Sequence, residues 1–195
     1  MTRAESGRPA YGEGRQALVD AAIQLVARDG MAKLTYRSLT AEAGVTQGSL
    51  RHHFPHLNAV LEAALEWCLE VSLGYKEPSG SLVDTLRHMD GMMREHPELP
   101  RFLTEVYVAA RHAPELLELV KRHQEIYRER ARASFVEAGL EVDEELVEII
   151  VAMGDGMVFQ RVVFGAEHEP VTERQIAGSR RLLSCILSEA SVRPA

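Results

Sequence analysis

The stretch Thr35–Phe54, TYRSLTAEAGVTQGSLRHHF, gathers the residues whose types and spacing best suggest chemistry. It reads as a short helix, an Ala-Gly-Val turn and a second short helix. Leu39 and Ala43 are expected to face inward, Gly44 to allow the tight turn, and Val45 to fill the gap between the helices. Leu50 and Phe54 then pin the second helix to a core. Gln47, Ser49, Arg51, His52 and His53 are left to point outward. An exposed rod carrying side-chain donors is what reading the DNA major groove requires, because that groove is ~12 Å wide and admits one helix. The same spacing also fits a plain αα-hairpin inside a helical bundle.

Other chemistries lack their residues. His52, His53 and His56 sit close together, but Pro55 breaks the helix between them and no cysteine or acidic ligand lies beside them, so no metal is expected. A di-iron bundle needs Glu-x-x-His pairs, and the chain has none. Gly-x-Ser-x-Gly and Gly-Lys-Ser/Thr are also absent, so neither a serine hydrolase nor a P-loop is supported. Gly12-x-Gly14-x-x-Ala17 resembles a dinucleotide fingerprint without the preceding strand, and is expected to be a flexible lead into the first helix. No enzyme activity and no cofactor are expected.

These residues sit in a chain of 195 residues, 46% hydrophobic and 26% charged, enough for a sizeable core. No run approaches the ~18 apolar residues of a membrane span, and MTRAESGRPAYGEG lacks a signal peptide's apolar segment. Two cysteines, Cys68 and Cys185, cannot build a disulfide framework. A cytoplasmic protein with no membrane partner is the expectation. The net charge of −7 looks wrong for a nucleic-acid binder, but it is unevenly spread. Residues 1–56 carry seven Lys/Arg and five Asp/Glu, net +2, and residues 57–195 carry net −9.

The elements that must position the motif read at helical period, so the fold class is all-α. Leu18, Ala21, Ala22, Leu25 and Val26 form one stripe, stopped by Gly30. Thr35 and Thr46 are expected N-caps for Tyr36–Ala43 and Gln47–His53. Pro55 ends the third helix. Further helices are expected from Leu57 to about Tyr75, Leu82–Glu95, Arg101–His112, Glu115–Ala138, Glu144–Phe164 and Thr172 to about Glu189, nine in all. Ser81, Asp143 and Thr172 are their expected caps, Pro114 is expected in a first turn, and Gly165–Val171 is expected to be a loop. The first fourteen residues and Ser191–Ala195 look like loose ends.

AAIQLVARDG (21–30), LTYRSLTAEAGVTQGSLRHHF (34–54) and the Pro-containing step into a long fourth helix resemble the N-terminal domain of the TetR family of bacterial transcriptional repressors. The resemblance implies a three-helix helix-turn-helix domain at 1–56 and a helical-bundle domain for ligand binding and dimerisation at 57–195. It implies phosphate contacts from Thr35, Tyr36 and His53, a phosphate or guanine contact from Arg37, and a recognition-helix front at Gln47, Gly48 and Ser49, with Gln47 the best base reader; Thr46 and His52 are also expected among the DNA-binding residues. Arg51 departs from the family's usual aromatic; it keeps the reach and adds charge, so a phosphate or guanine contact is expected there. Leu57 departs from the usual lysine at the head of the fourth helix, so that phosphate contact is missing or passes to His56 and the helix amides.

In the second domain, Met89, Met92, Met93, Met153 and Met157 form a methionine-rich set that Trp67, Phe102, Tyr107 and Tyr127 can join, with Phe159 beside them. Ordinary core packing explains each one singly. As a group they suit an apolar cavity, which the resemblance implies within walls formed by the fourth to seventh helices, with His88, Glu105 and Gln160 as polar candidates. The resulting expectation is a regulator, most simply a repressor, released from operator DNA by a small apolar or amphipathic effector. It would be a homodimer through the last two helices, whose apolar residues exceed what one bundle face needs.

Overall fold

The computed structural model describes residues 14–74, 91–137, 139 and 141–190, with backbone alone for 72–74 and 186–190. The described helices are α1 (Gly14–Asp29), α2 (Tyr36–Glu42), α3 (Gln47–His53), α4 (Leu57–Gly74), a helical stretch at 91–95 (α5), α6 (Glu98–Ala110), α7 (Pro114–Glu137), α8 (Glu144–Phe164) and α9 (Glu169–Ala190). Single 3-10 turns cover Met31–Lys33 and Gly165–His168. No strand occurs among the described residues, as an all-α chain requires.

The local signals explain most boundaries. α1 ends where Gly30 takes φ 82°, ψ 164°, a region that side chains with a Cβ avoid. Thr35, Thr46 and Asp143 cap α2, α3 and α8 as expected; the Asp143 carboxylate accepts the amides of Glu145 and Leu146. α7 opens on Pro114, whose missing N–H costs nothing in a first turn.

Two starts differ from expectation for the same reason. α6 begins at Glu98 and α9 at Glu169, so Pro100 and Pro170 lie inside first turns instead of ahead of them. Thr172 is therefore not a cap. It is fully buried and its hydroxyl donates back to the His168 carbonyl at 3.2 Å. Gly14, expected in the loose end, is the buried first residue of α1. Ser81, Leu82, Leu86, His88 and Met89 fall outside the described residues.

By spatial grouping the chain forms two compact units. One combines Met1–Glu70 with Arg101–Val120, and the other Val71–Pro100 with Lys121–Ala195. In the first, α1, α2 and α3 pack pairwise. Leu18, Ala22 and Val26 of α1, Leu39 of α2 and Leu50 of α3 are fully buried, as are Val60 and Ala64 of α4 and Phe102 and Val106 of α6. In the second, Ala131, Phe135, Val147, Met157 and Leu183 form a core joining α7, α8 and α9. A polar ladder runs along α7 and α8: Gln124 to Asp155 (2.8 Å), Arg128 to Glu148 (2.7 Å) and Arg132 to Glu144 (2.8 Å). Numbers rise on α7 as they fall on α8, so the two helices are antiparallel.

Candidate nucleic-acid interface

The start of α2 is held by reciprocal hydrogen bonds. The Thr35 hydroxyl accepts the Ser38 amide at 3.1 Å, the Ser38 hydroxyl accepts the Thr35 amide at 3.0 Å, and Ser38 also donates to the Lys33 carbonyl at 2.6 Å. This capping box satisfies two orphan amides at once and fixes Tyr36 and Arg37, both exposed, at the helix tip. Ser38 was not among the residues picked out by sequence, although its spacing three after a threonine is the signal that finds it. The turn into α3 closes with the Val45 amide on the Thr40 carbonyl at 3.1 Å, Gly44 adopting φ 66°. Thr46 then caps α3 by accepting the Ser49 amide at 3.1 Å.

Gln47, Ser49, Arg51, His52 and His53 are the α3 side chains expected to point outward; with Gly48, the helix sorts them into two groups. Gln47, Gly48, Arg51 and His52 are exposed, and their i, i+4 spacing lines them along one strip. Ser49 and His53 are half-buried against the first residue of α1: a Cβ on Gly14 would lie 2.9 Å from His53 Nε2 and 3.5 Å from Ser49 Oγ. Their position beside Leu50 and Phe54, both buried, is what turns them aside. The His52 and His53 rings meet edge to face at 5.1 Å. The Arg15 guanidinium lies over the Phe54 ring, 5.2 Å from its centre. His56 Nδ1 accepts the Ala59 amide at 3.1 Å and so caps α4, while Leu57, the first residue of α4, is half-buried.

Charge is sorted as well. Arg28 bonds both Glu42 and Asp29, and holds the Glu42 carboxyl below the ordinary carboxylate range. Asp20 accepts from Gln16 at 2.8 Å. All three acids among the described residues of the head are thereby engaged within it. Arg37 and Arg51 are exposed and make no ion pair among the described residues.

Residues 18–64 match the family described as bacterial regulatory proteins, tetR family, and residues 77–187 match the tetracyclin repressor-like C-terminal domain. The chain belongs to the TetR family. It is a transcription regulator with that family's helix-turn-helix and C-terminal helical domains. Its fold is similar to that of a TetR-family transcriptional regulator from Rhodococcus sp. (TM-score 0.74, 21% identity, covering 87% of this chain and 98% of that one). It is also similar to a TetR-family member from Streptomyces coelicolor A3 (0.69, 25%, 87% and 98%) and to the multidrug binding protein EbrR complexed with imidazole (0.67, 24%, 93% and 97%). No curated protein matches the chain.

The residues expected at a TetR-type effector site are spread over the two units. Trp67, Phe102 and Tyr107 belong to the first unit, where Phe102 is fully buried and Trp67 is exposed. Met92, Met93, Tyr127, Met153 and Met157 belong to the second. There Met157 lies in the α7–α8–α9 core, and Met153 packs against that core and receives the Ser179 hydroxyl at sulfur, 3.2 Å away. Of the polar candidates, Glu105 lies against Gly30, its Oε2 3.2 Å from where a Cβ would stand. Gln160 accepts from the Gln175 amide at 2.7 Å and lies 3.1 Å from His168 Nε2. No group of three potential metal ligands occurs, and no helix is long and apolar enough to cross a membrane, among the described residues.

Along α8, Ile149, Phe159 and Val163 are each more than half exposed, with Ala152 and Gly156 between them. The spacing 149, 152, 156, 159, 163 alternates three and four, the seam of helices that pair with helices. Leu182 of α9 is also half exposed, whereas Leu183 is buried in the core.

Proposed function

We propose that this chain is a ligand-responsive repressor that binds operator DNA as a cytoplasmic homodimer and acts without enzymatic chemistry, metal or cofactor. The observation that carries the DNA reading is the exposed strip Gln47, Gly48, Arg51 and His52 on a helix capped by Thr46 and braced by α1 and α2. Thr35, Tyr36 and Arg37 at the tip of α2 would grip phosphate beside it, with Ser49 and His53 contributing from the α1 side. Residues 1–56 would form the DNA-binding domain and 57–195 the effector and dimerisation domain.

The dimer would form through α8 and α9, closing the apolar seam around a twofold axis. Two recognition helices ~34–36 Å apart then enter successive major grooves. An effector that prefers a different spacing releases the operator by its differential affinity, typically ~1–3 kcal/mol. EbrR, a structural neighbour seen with imidazole and with proflavin, supports an effector of that size. Within the second unit, Met92, Met93 and Tyr127 of the set named from sequence remain our proposal for its contacts and are the first to substitute.

The test is enrichment of duplexes from a random-sequence pool, followed by binding over a range of salt. A repressor of this type enriches a palindromic site and binds it with a steep salt dependence. Leu57→Lys should steepen the slope of log K against log salt by about 0.9, the release expected from one added phosphate contact. Failure to enrich any duplex would overturn the reading.

A further inference from the structure

We propose that operator binding takes up protons at His52 and His53, so that DNA is held more tightly as the pH falls from 8 to 6. This rests on the DNA-binding reading of α3. Histidine is the side chain whose charge ordinarily changes in that interval. Both rings stand at the last turn of the recognition helix, 5.1 Å apart, one exposed on the reading strip and one wedged against the first turn of α1.

The charged groups on the helices packed with α3 determine the sign. From α1 come Arg15, stacked on Phe54, and Asp20, held by Gln16. From α2 come Arg37, exposed, and Glu42, turned to Arg28. α3 itself adds Arg51, and the step to α4 adds His56. Glu13 precedes Gly14 in sequence and lies outside the described residues. No carboxylate among the described residues of the head is hydrogen-bonded or ion-paired to either ring; each is engaged elsewhere.

The anion that stabilises charge on these imidazoles is therefore the DNA phosphate itself. A phosphate within a few ångströms favours the protonated ring. By linkage, protons then favour the complex to the same extent. His56 is set apart. Its Nδ1 lone pair receives the Ala59 amide, so a proton there removes the cap of α4 instead of adding a contact.

The experiment measures affinity for a duplex enriched from a random pool at pH 8, by fluorescence anisotropy at fixed ionic strength between pH 8 and pH 6. The expected result is a tightening of about tenfold, the effect of a net uptake averaging about half a proton across the two pH units. His52→Gln, at an exposed position that leaves the fold intact, should shrink the slope, and His52→Gln with His53→Gln should flatten it. His56→Asn, which keeps an acceptor for Ala59, should retain it. Affinity independent of pH in the unaltered chain, or an undiminished slope in His52→Gln, would overturn the proposal while leaving DNA binding in place. Absence of binding at every pH would instead overturn the DNA-binding reading on which it rests.

Discussion

Arg28 on α1 holds Glu42 on α2 through two hydrogen bonds from one guanidinium, 2.9 and 3.0 Å long. The planar fork of arginine matches a carboxylate in this way, and the pair fixes the angle between the first two helices of the head. Because the bond holds the Glu42 carboxyl below its ordinary range, its contribution is present above about pH 4 and is lost as the pH falls further. Glu42→Gln should therefore melt earlier than the unaltered chain at pH 7, the gap should shrink as the pH is lowered from 4 toward 3, and at pH 7 it should narrow in high salt. Thermal melts at these pH values check this.

His123 on α7 is also shifted downward, by burial instead of by a partner. Burial pushes its imidazole down to about 4, so it stays neutral in the folded chain while the unfolded chain protonates near 6.5. Stability is then full above about pH 6.5 and falls toward pH 4, by an amount on the order of 3 kcal/mol. His123→Phe, which keeps an edge-on ring beside Tyr127 (5.0 Å between centres), should remove most of that dependence. Urea unfolding at pH 7 and pH 4.5 on both proteins makes the comparison.

Gln47 and Tyr36 should separate base reading from phosphate contact. A bidentate amide–adenine pair is worth ~1–3 kcal/mol of discrimination, so Gln47→Ala should weaken the enriched duplex much more than random DNA. Tyr36→Phe removes a hydroxyl at the tip of α2 and should weaken both alike, because phosphate contacts carry no sequence information. Equal losses for Gln47→Ala on the two duplexes would remove its base-reading role.

The apolar seam of α8 distinguishes assembly from folding. Phe159→Glu places a charge on the exposed stripe and should convert a species of twice the chain mass into one of single mass, with the helical signal kept and operator binding lost. Leu183→Glu buries a charge in the α7–α8–α9 core and should unfold the second unit instead. Light scattering and circular dichroism together separate the outcomes.

Much of this was legible from residue types. Thr35, Thr46 and Asp143 announced three helices because a hydroxyl or carboxylate ahead of an apolar stripe has one economical use. The starts of α6 and α9 were not, because proline both ends one helix and opens the next, and only packing decides which. Ser49 and His53 were read as outward because they are polar. Their placement depends on α1, whose Gly14 leaves the room they occupy, and no local pattern records that. The division of the effector residues between two units is equally invisible to spacing, since it depends on which helices the chain folds back upon.

The engagement of Asp29 and Glu42 by Arg28 has a consequence for how the protein finds DNA. Arg37 and Arg51 keep their full field, while residues 57–195 carry net −9. A duplex therefore attracts one end of the chain and repels the rest. Contact with the polyanion is therefore favoured at residues 1–56 over residues 57–195, and the rate of productive encounter should fall as salt shortens the reach of that preference.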